Sequence, residues 1–355
     1  MAAAAAKDFR ARASVIKISH EQPSYPKGLT EMNGNLYYLG GNQVFQMDTT
    51  TGEQTILAGN SLGGHADGPL LSAGFRFDYY SDMTCLNGDL YVTDYKNNSV
   101  RKITLDRAGV PGQVTTLIGF NRENESNNAI LSYPNLITSS ANDLYVLEAP
   151  SQSLRIRRID MRSNRVTTLR LINSTGIEGY LERCHPIDMV ANETDIYLST
   201  SDNIILKVNL SSMNVSVLAG EYRRDGDNDG ARLDARFHQL LGLAIIRNNL
   251  YVADYDKIRV ISLTEDRVTT LVALKEGTEA VLKYETLEFM TASSRGDVLF
   301  VSDDREAYWK AIKIDLNPHD RNRALFSLLR AQPWLKSRRN KKSSRQKKTR
   351  KTRQI

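Results

Sequence analysis

Apolar and polar residues alternate along most of this chain in short runs divided by turn formers, the period of two that strands produce. Residues 80–119 show the pattern in full: YSDMTCLNG, DLYVTDY, SVRKITL and QVTTLIG. The first run predicts a strand ending in an Asn87-Gly88 turn, a strong hairpin signal. In the second, Leu90 and Val92 point one way and Tyr91 and Thr93 the other. The third sets Val100, Lys102 and Thr104 against Arg101, Ile103 and Leu105. The fourth is rich in β-branched residues. The second-strand phrase recurs at Leu36, Leu90, Leu144, Ile196, Leu250 and Leu299, in steps of 54, 54, 52, 54 and 49 residues. A four-stranded unit repeated at about 50 residues is the signature of a propeller blade.

Fourth strands recur at 54–59, 165–169, 215–220 and 267–271, but the sixth unit lacks one: Asp315-Leu316 is followed by Asn317-Pro318 and a helix-like stretch. A spare apolar run lies at the other end, Ala13 to Ile18. It is expected to complete the sixth blade and close the ring, removing two open sheet edges. The expected fold is therefore all-β, a six-bladed β-propeller over 14–316. Around it lie an N-terminal extension (1–13), a helix-like segment (317–334) and a disordered basic tail (335–355).

Two connectors carry a family resemblance. Residues 58–83 and 219–243 both place Asp-Gly, Leu, Ala and Phe at fixed offsets: Asp67-Gly68, Leu71, Ala73, Phe75, and Asp229-Gly230, Leu233, Ala235, Phe237. With LYVTDYKNNSVRKITL and VTTL, this resembles the NHL-repeat β-propeller family over nearly the whole body. Unit three lacks the Asp-Gly connector, and unit six has Asp303-Asp304 in place of the Asp-Tyr turn. The resemblance implies a fold and leaves activity open. It implies that the acid ending each second strand is structural. It also brings in two functional precedents, an RNA-binding basic face and the zinc-holding channel histidines of peptidyl-amidoglycolate lyases.

Charge changes the picture more than overall composition does. Of 47 Lys and Arg, 11 fall in residues 335–355, which hold no Asp or Glu; residues 1–334 keep 36 basic against 41 acidic residues. The body is mildly acidic, and the net basicity is the tail's. No apolar run approaches the roughly 18 residues that span a bilayer, so no transmembrane segment is expected. Met1 to Lys7 offers five alanines and no signal-peptide pattern. An intracellular protein, cytoplasmic or nuclear, is expected, or a secreted one if the chain is a fragment lacking its leader. Cys85 and Cys184 read as buried thiols. Six Asn-X-Ser/Thr sequons, at Asn97, Asn124, Asn173, Asn192, Asn209 and Asn214, keep a secreted or ectodomain module in view.

Asp94, Glu148, Asp254 and Asp303 end second strands; each is expected to accept hydrogen bonds from its turn and, where present, from the third-strand Arg101 or Arg259. Asp225, Asp227 and Asp229 imitate the first half of a calcium loop, but the twelfth position is Arg236 instead of Glu. His185 and His238 fall at inner-strand starts one blade apart, with Cys184 beside the first; a zinc site needs a third ligand and an open position. No cofactor is expected, with calcium or zinc the alternatives. The long connectors 58–79, 119–133 and 219–240 lie on one side, because each joins a fourth strand to the next inner strand. Tyr79, Tyr80, Tyr133, Arg223, Arg224, Arg236 and Phe237 are the expected contacts there. The tail, Lys336, Arg338, Arg339, Lys341, Lys342, Arg345, Lys347, Lys348, Arg350, Lys351 and Arg353, is expected to serve nuclear targeting or loose contact with RNA or another polyanion. The expectation is a monomeric, non-enzymatic binding scaffold presenting its connector loops to a protein partner. A metal-dependent lyase or hydrolase with a channel site is the alternative.

Overall fold

Hairpin chemistry shapes each repeat. Asn33-Gly34 and Asn87-Gly88 both hold positive φ at both positions (55° and 82°, 53° and 80°), as a type I′ turn requires. In the computed structural model the described residues are 12–16, 26–107, 109–119, 130–148, 154–173, 179–181, 183–273, 287–303 and 310–316. The chain divides into two units. Met1–Phe9 with Asn317–Ile355 lies wholly outside the described residues, as do the helix-like segment and the basic tail; Arg10–Leu316 holds everything described.

The body is an all-β, six-bladed propeller, with six sheets each built on four antiparallel strands; in blade 4 a short strand, Ile172–Asn173, joins the rim in parallel. Blade 1 runs Lys27–Met32, Asn35–Gly40, Gln43–Asp48, Gln54–Ala58 from axis to rim. Blade 2 runs Met83–Leu86, Asp89–Asp94, Ser99–Thr104, Gln113–Gly119, with Gly68–Pro69 added at its rim. Blade 3 begins at Pro134–Ser140, blade 4 at Pro186–Ala191, blade 5 at Leu240–Ile246 and blade 6 at Leu287–Ala292. These inner strands adjoin one another in order, and blade 6 meets blade 1. Arg12–Ile16 forms the rim strand of blade 6, antiparallel to Lys310–Asp315 in the register Arg12 to Asp315 and Ile16 to Ala311. Among the described residues the helical content is one 3-10 turn, Tyr95–Asn97, and no helix is long and apolar enough to cross a membrane.

The core lies between blades. Leu90 and Val92 pack with Tyr37, Leu39 and Val44 of blade 1, while Tyr91 on the opposite face packs with Ile137, Leu144 and Val146 of blade 3. Every residue of Asp89–Asp94 is buried, because both faces of the strand are covered. Similar clusters fill the other four junctions. Each fully buried Leu, Ile or Val contributes about 1.5–3 kcal/mol, so the ring gains its stability at its joints.

Two buried arginines fix the connectors. Arg101 donates to Asp94 (2.8 Å), the Gly74 carbonyl (2.8 Å), the Ala66 carbonyl (3.0 Å) and Asp67 (2.8 Å), and lies 5.0 Å from the Phe75 ring centre. Arg259 repeats this with Asp254 (2.8 Å), the Arg236 and Asn228 carbonyls (3.0 Å each), Asp229 (2.8 Å) and Phe237 (5.2 Å). The Asp-Gly connector thus folds back over its own blade. In blade 3, which lacks it, Arg157 reaches Glu148 at a longer 3.4 Å.

Truncating Arg101 strands the carboxylate of Asp94 in the core; Arg101→Ala should lower stability by about 3–5 kcal/mol, read from urea unfolding. Removing residues 1–16 exposes the edge Lys310–Asp315. It should lower the melting temperature and produce concentration-dependent association in size-exclusion chromatography, whereas an unchanged melt would show that blade 6 stands on three strands.

Candidate functional site

Two places on the body combine concavity or exposure with polar chemistry: the axial cavity and the connector face.

The axial cavity, about 290 Å³, is lined by all six inner strands. One position, just before the residue that pairs with the middle of the second strand, reads Gly28, Asp82, Leu136, Asp188, Gly242 and Phe289 around the ring. Asp82 accepts the Ile137 N–H of blade 3 (2.9 Å), and Asp188 accepts the Leu243 N–H of blade 5 (2.6 Å). Hydroxyls of the second strands repeat the pattern. Thr93 donates to the Asn135 carbonyl (2.7 Å) and Ser199 to the Leu241 carbonyl (2.7 Å). Odd blades offer backbone in return. A Cβ on Gly28 would stand 2.8 Å from the Met83 nitrogen, and one on Gly242 would stand 2.6 Å from the Met290 nitrogen. Glu31 accepts the Ser294 N–H (2.5 Å) and so ties blade 1 to blade 6. The carboxylates at the axis are thus staples between blades, each occupied by backbone N–H groups.

Burial pushes both aspartates up, Asp82 to about 8, with the charge of Asp188 adding to the rise, and Asp188 to about 6. Backbone N–H bonds oppose the rise without cancelling it.

The connector face is aromatic. Tyr79, Tyr80, Tyr95 and Tyr133 stack in series, with centroid separations of 5.5, 5.5 and 5.4 Å. Tyr79, Tyr80 and Tyr133 are 63%, 51% and 50% exposed, unusual for rings held in fixed places. The scaffold holds them. Asp94 accepts the Arg76 N–H (2.7 Å), Tyr95 opens the 3-10 turn, and Asn97 donates to the Gly64 carbonyl (2.7 Å) and Asp94 (2.8 Å). Asn98 accepts the Tyr133 N–H (2.8 Å), joining the two blades. Tyr133 sits in left-handed backbone (φ 51°), a conformation that costs a bulky residue about 1–3 kcal/mol. Lys27 lies 6.0 Å over the Tyr79 ring, and Lys96 pairs with Asp78 (2.8 Å). Around the ring, Tyr222 meets Tyr180 (5.1 Å) and carries the Arg223 guanidinium (5.1 Å), which also binds Asp202 (3.0 Å).

The expected contacts separate accordingly. Tyr79, Tyr80 and Tyr133 come together and are exposed, joined by Tyr95, which the sequence reading missed. Arg223 and Arg224 are exposed, the latter paired with Glu221 (3.0 Å). Phe237 is fully buried beneath Arg259, and is corrected from contact to core. Arg236 is largely covered, bound to the Leu233 and Ala235 carbonyls and to Glu221. Connector equivalence already held the signal for Phe237, since Phe75 is its partner in the repeat. Residues 120–129 of the middle connector lie outside the described residues.

The acidic and histidine candidates also find places. Asp94 and Asp254 serve Arg101 and Arg259, and Glu148 accepts the Ser132 N–H (2.6 Å). Asp229 is taken up by Arg259, the Thr270 N–H (2.9 Å) and the Thr270 hydroxyl (3.0 Å), and Asp227 pairs with Lys257 (2.7 Å). Asp225 is exposed. His185 and His238 are exposed, do not line the cavity, and His238 packs on Tyr255 (4.9 Å). Cys184 is half-buried in the core between blades 3 and 4, its thiol pushed up to about 12 by burial. Among the described residues no three His, Cys, Asp or Glu side chains are grouped to hold one metal ion.

With this geometry in hand, the chain is similar in fold to several solved propellers. An auxiliary nutrient binding protein from Bacteroides ovatus ATCC 8483 is 13% identical with a TM-score of 0.58, covering 86% of this chain and 76% of that one. One from Bacteroides thetaiotaomicron VPI-5482 is 15% identical with a TM-score of 0.55, covering 83% and 69%. A putative phosphatase from the same organism is 12% identical with a TM-score of 0.52, covering 82% and 71%. No protein-family model matches the chain, and no curated protein matches it by sequence. At these identities the likeness defines the class as a six-bladed β-propeller and stops there.

The raised axial carboxyls give a pH dependence with a definite sign. Each binds its proton more tightly in the fold than at its ordinary value of 3.8. Their contribution is complete below that value and is lost as pH rises through about 6 and about 8. Asp82→Asn keeps an acceptor for Ile137 and removes the charge. It should flatten the fall in melting temperature between about pH 4 and pH 8; an identical slope in both proteins would show that Asp82 does not titrate there.

Proposed function

We propose that the protein is a non-enzymatic binding platform, a propeller whose connector face over blades 2 to 4 receives a protein partner. The observation that carries this is the tyrosine series Tyr79–Tyr80–Tyr95–Tyr133, three of its rings exposed, held on a rigid scaffold with strained backbone at Tyr133. Tyrosine supplies large contact area at small entropic cost, which is why it is enriched at interface cores. The Arg223–Tyr222 stack extends the same face. Two of the fold neighbours are auxiliary nutrient binding proteins, which supports this reading. The axial staples support it from the other side, since carboxylates occupied in joining blades are poorly placed for acid–base work. The basic tail, outside the described residues, adds a second site in the proposal, for a polyanion or for nuclear import.

The test is affinity capture with quantitative mass spectrometry from cells expressing the full chain. Tyr80→Ala with Tyr133→Ala is compared with Arg162→Ala, an exposed residue in a turn on the opposite face. Proteins retained by the wild type and the control should fall by about tenfold or more with the tyrosine pair. An unchanged set would overturn the proposal.

A further inference from the structure

Resting on that reading, we infer that the tyrosine series is a docking ridge for a proline-rich segment in polyproline II conformation with an acidic residue at its Tyr79 end.

The argument begins with shape. The rings are tilted against one another, with interplanar angles of 88°, 35° and 42°, so they form ridges with clefts between them instead of one flat plate. Flat sugars and stacked bases need a face; a helix of pyrrolidine rings fits clefts. Three ring-to-ring steps of 5.4–5.5 Å span at most about 16 Å, the length of about five residues of polyproline II at about 3.1 Å each.

Hydrogen-bond chemistry agrees. A polyproline II strand has no internal hydrogen bonds and, at proline, no N–H, so it presents carbonyl acceptors and apolar rings. Phenols present the complement: aromatic faces for the rings and hydroxyl donors for the carbonyls. The segment is also pre-extended, so little entropy is lost on docking.

Charge sets the direction. Lys27 lies over Tyr79, Lys96 pairs with Asp78, and these two ammonium groups share that one carboxylate. Burial and the charge of Lys96 both lower Lys27, while Asp78 raises it. The surplus positive charge at this end of the ridge favours a ligand carboxylate. Three residues before Tyr133 in the chain, Ile130 is exposed.

The probes are a fluorescent octaproline headed by glutamate, the same peptide without glutamate, a glutamate-headed Gly/Ser peptide of equal length, and a fluorescent oligouridine. Fluorescence polarisation on the full chain should show saturable binding of both proline peptides and none of the Gly/Ser peptide. Tyr80→Ala with Tyr133→Ala should weaken binding by about tenfold or more without moving the melting temperature, since both rings are half exposed. Lys27→Gln should weaken the glutamate-headed peptide and leave plain octaproline unchanged. Equal binding of proline and Gly/Ser peptides, or tyrosine-dependent binding of oligouridine alone, would overturn the inference. Loss of captured proteins in the tyrosine pair without any proline binding would remove this ligand class and leave the platform itself standing.

Discussion

Everything on the connector face hangs from a charge buried in the core. The guanidinium of Arg101 touches two carboxylates, two carbonyls and an aromatic ring, and Arg259 does the same. Such a cation is costly to bury, and it is tolerated because nearly all its donors are satisfied at short range. A hydrophobic replacement of the whole ionic group, Asp94 included, would hold the core as well. It would not hold the connector, because only a forked donor reaches Asp94 on one side and Asp67 on the other. Asp94 in turn accepts the Arg76 N–H, three residues before Tyr79. The position of an exposed tyrosine is therefore decided inside the core.

The axis and the face divide the work. At the axis, Asp82, Asp188 and Glu31 all bond to backbone of a neighbouring blade, so the ring is laced where its strands are closest. On the face, rings stay half exposed although burial would stabilise them, and a bulky residue keeps left-handed backbone. The face thus departs from its local optimum while its supports are almost fully hydrogen-bonded, the combination on which the proposed binding role rests.

The fold was legible because its signal repeats. Alternation, Asn-Gly turns and the anchoring Leu of each second strand all gave one reading in every unit, and the unpaired strand at one end matched the gap at the other. The site was less legible for stated reasons. Phe237 looked like a contact because it lies in a long loop, although its equivalence to Phe75 pointed to the core, where Arg259 covers it. Tyr95 was hidden inside a repeat motif, where it read as part of the Asp-Tyr turn. Asp82 and Asp188 were visible as inner-strand starts, but the alternation of Thr93, Ser199 and Ser302 with Leu39, Leu147 and Ala253 becomes meaningful only once even and odd blades are seen to meet. Cys85 and Cys184, read as buried thiols, are free and half-buried.

The strand Arg12–Ile16 closes blade 6 from the far end of the ring. Its partner, Lys310–Asp315, lies about 300 residues downstream, which makes this pairing the longest-range contact of the ring. Contacts of such separation form late, because chain entropy is lost before they repay it. During synthesis the first strand must wait, unpaired, while five blades assemble behind it. Its short length makes it a poor template for other chains in the interval. Completion of blade 6 therefore depends on the slowest-forming class of contact, one that joins the two ends of the ring through five residues.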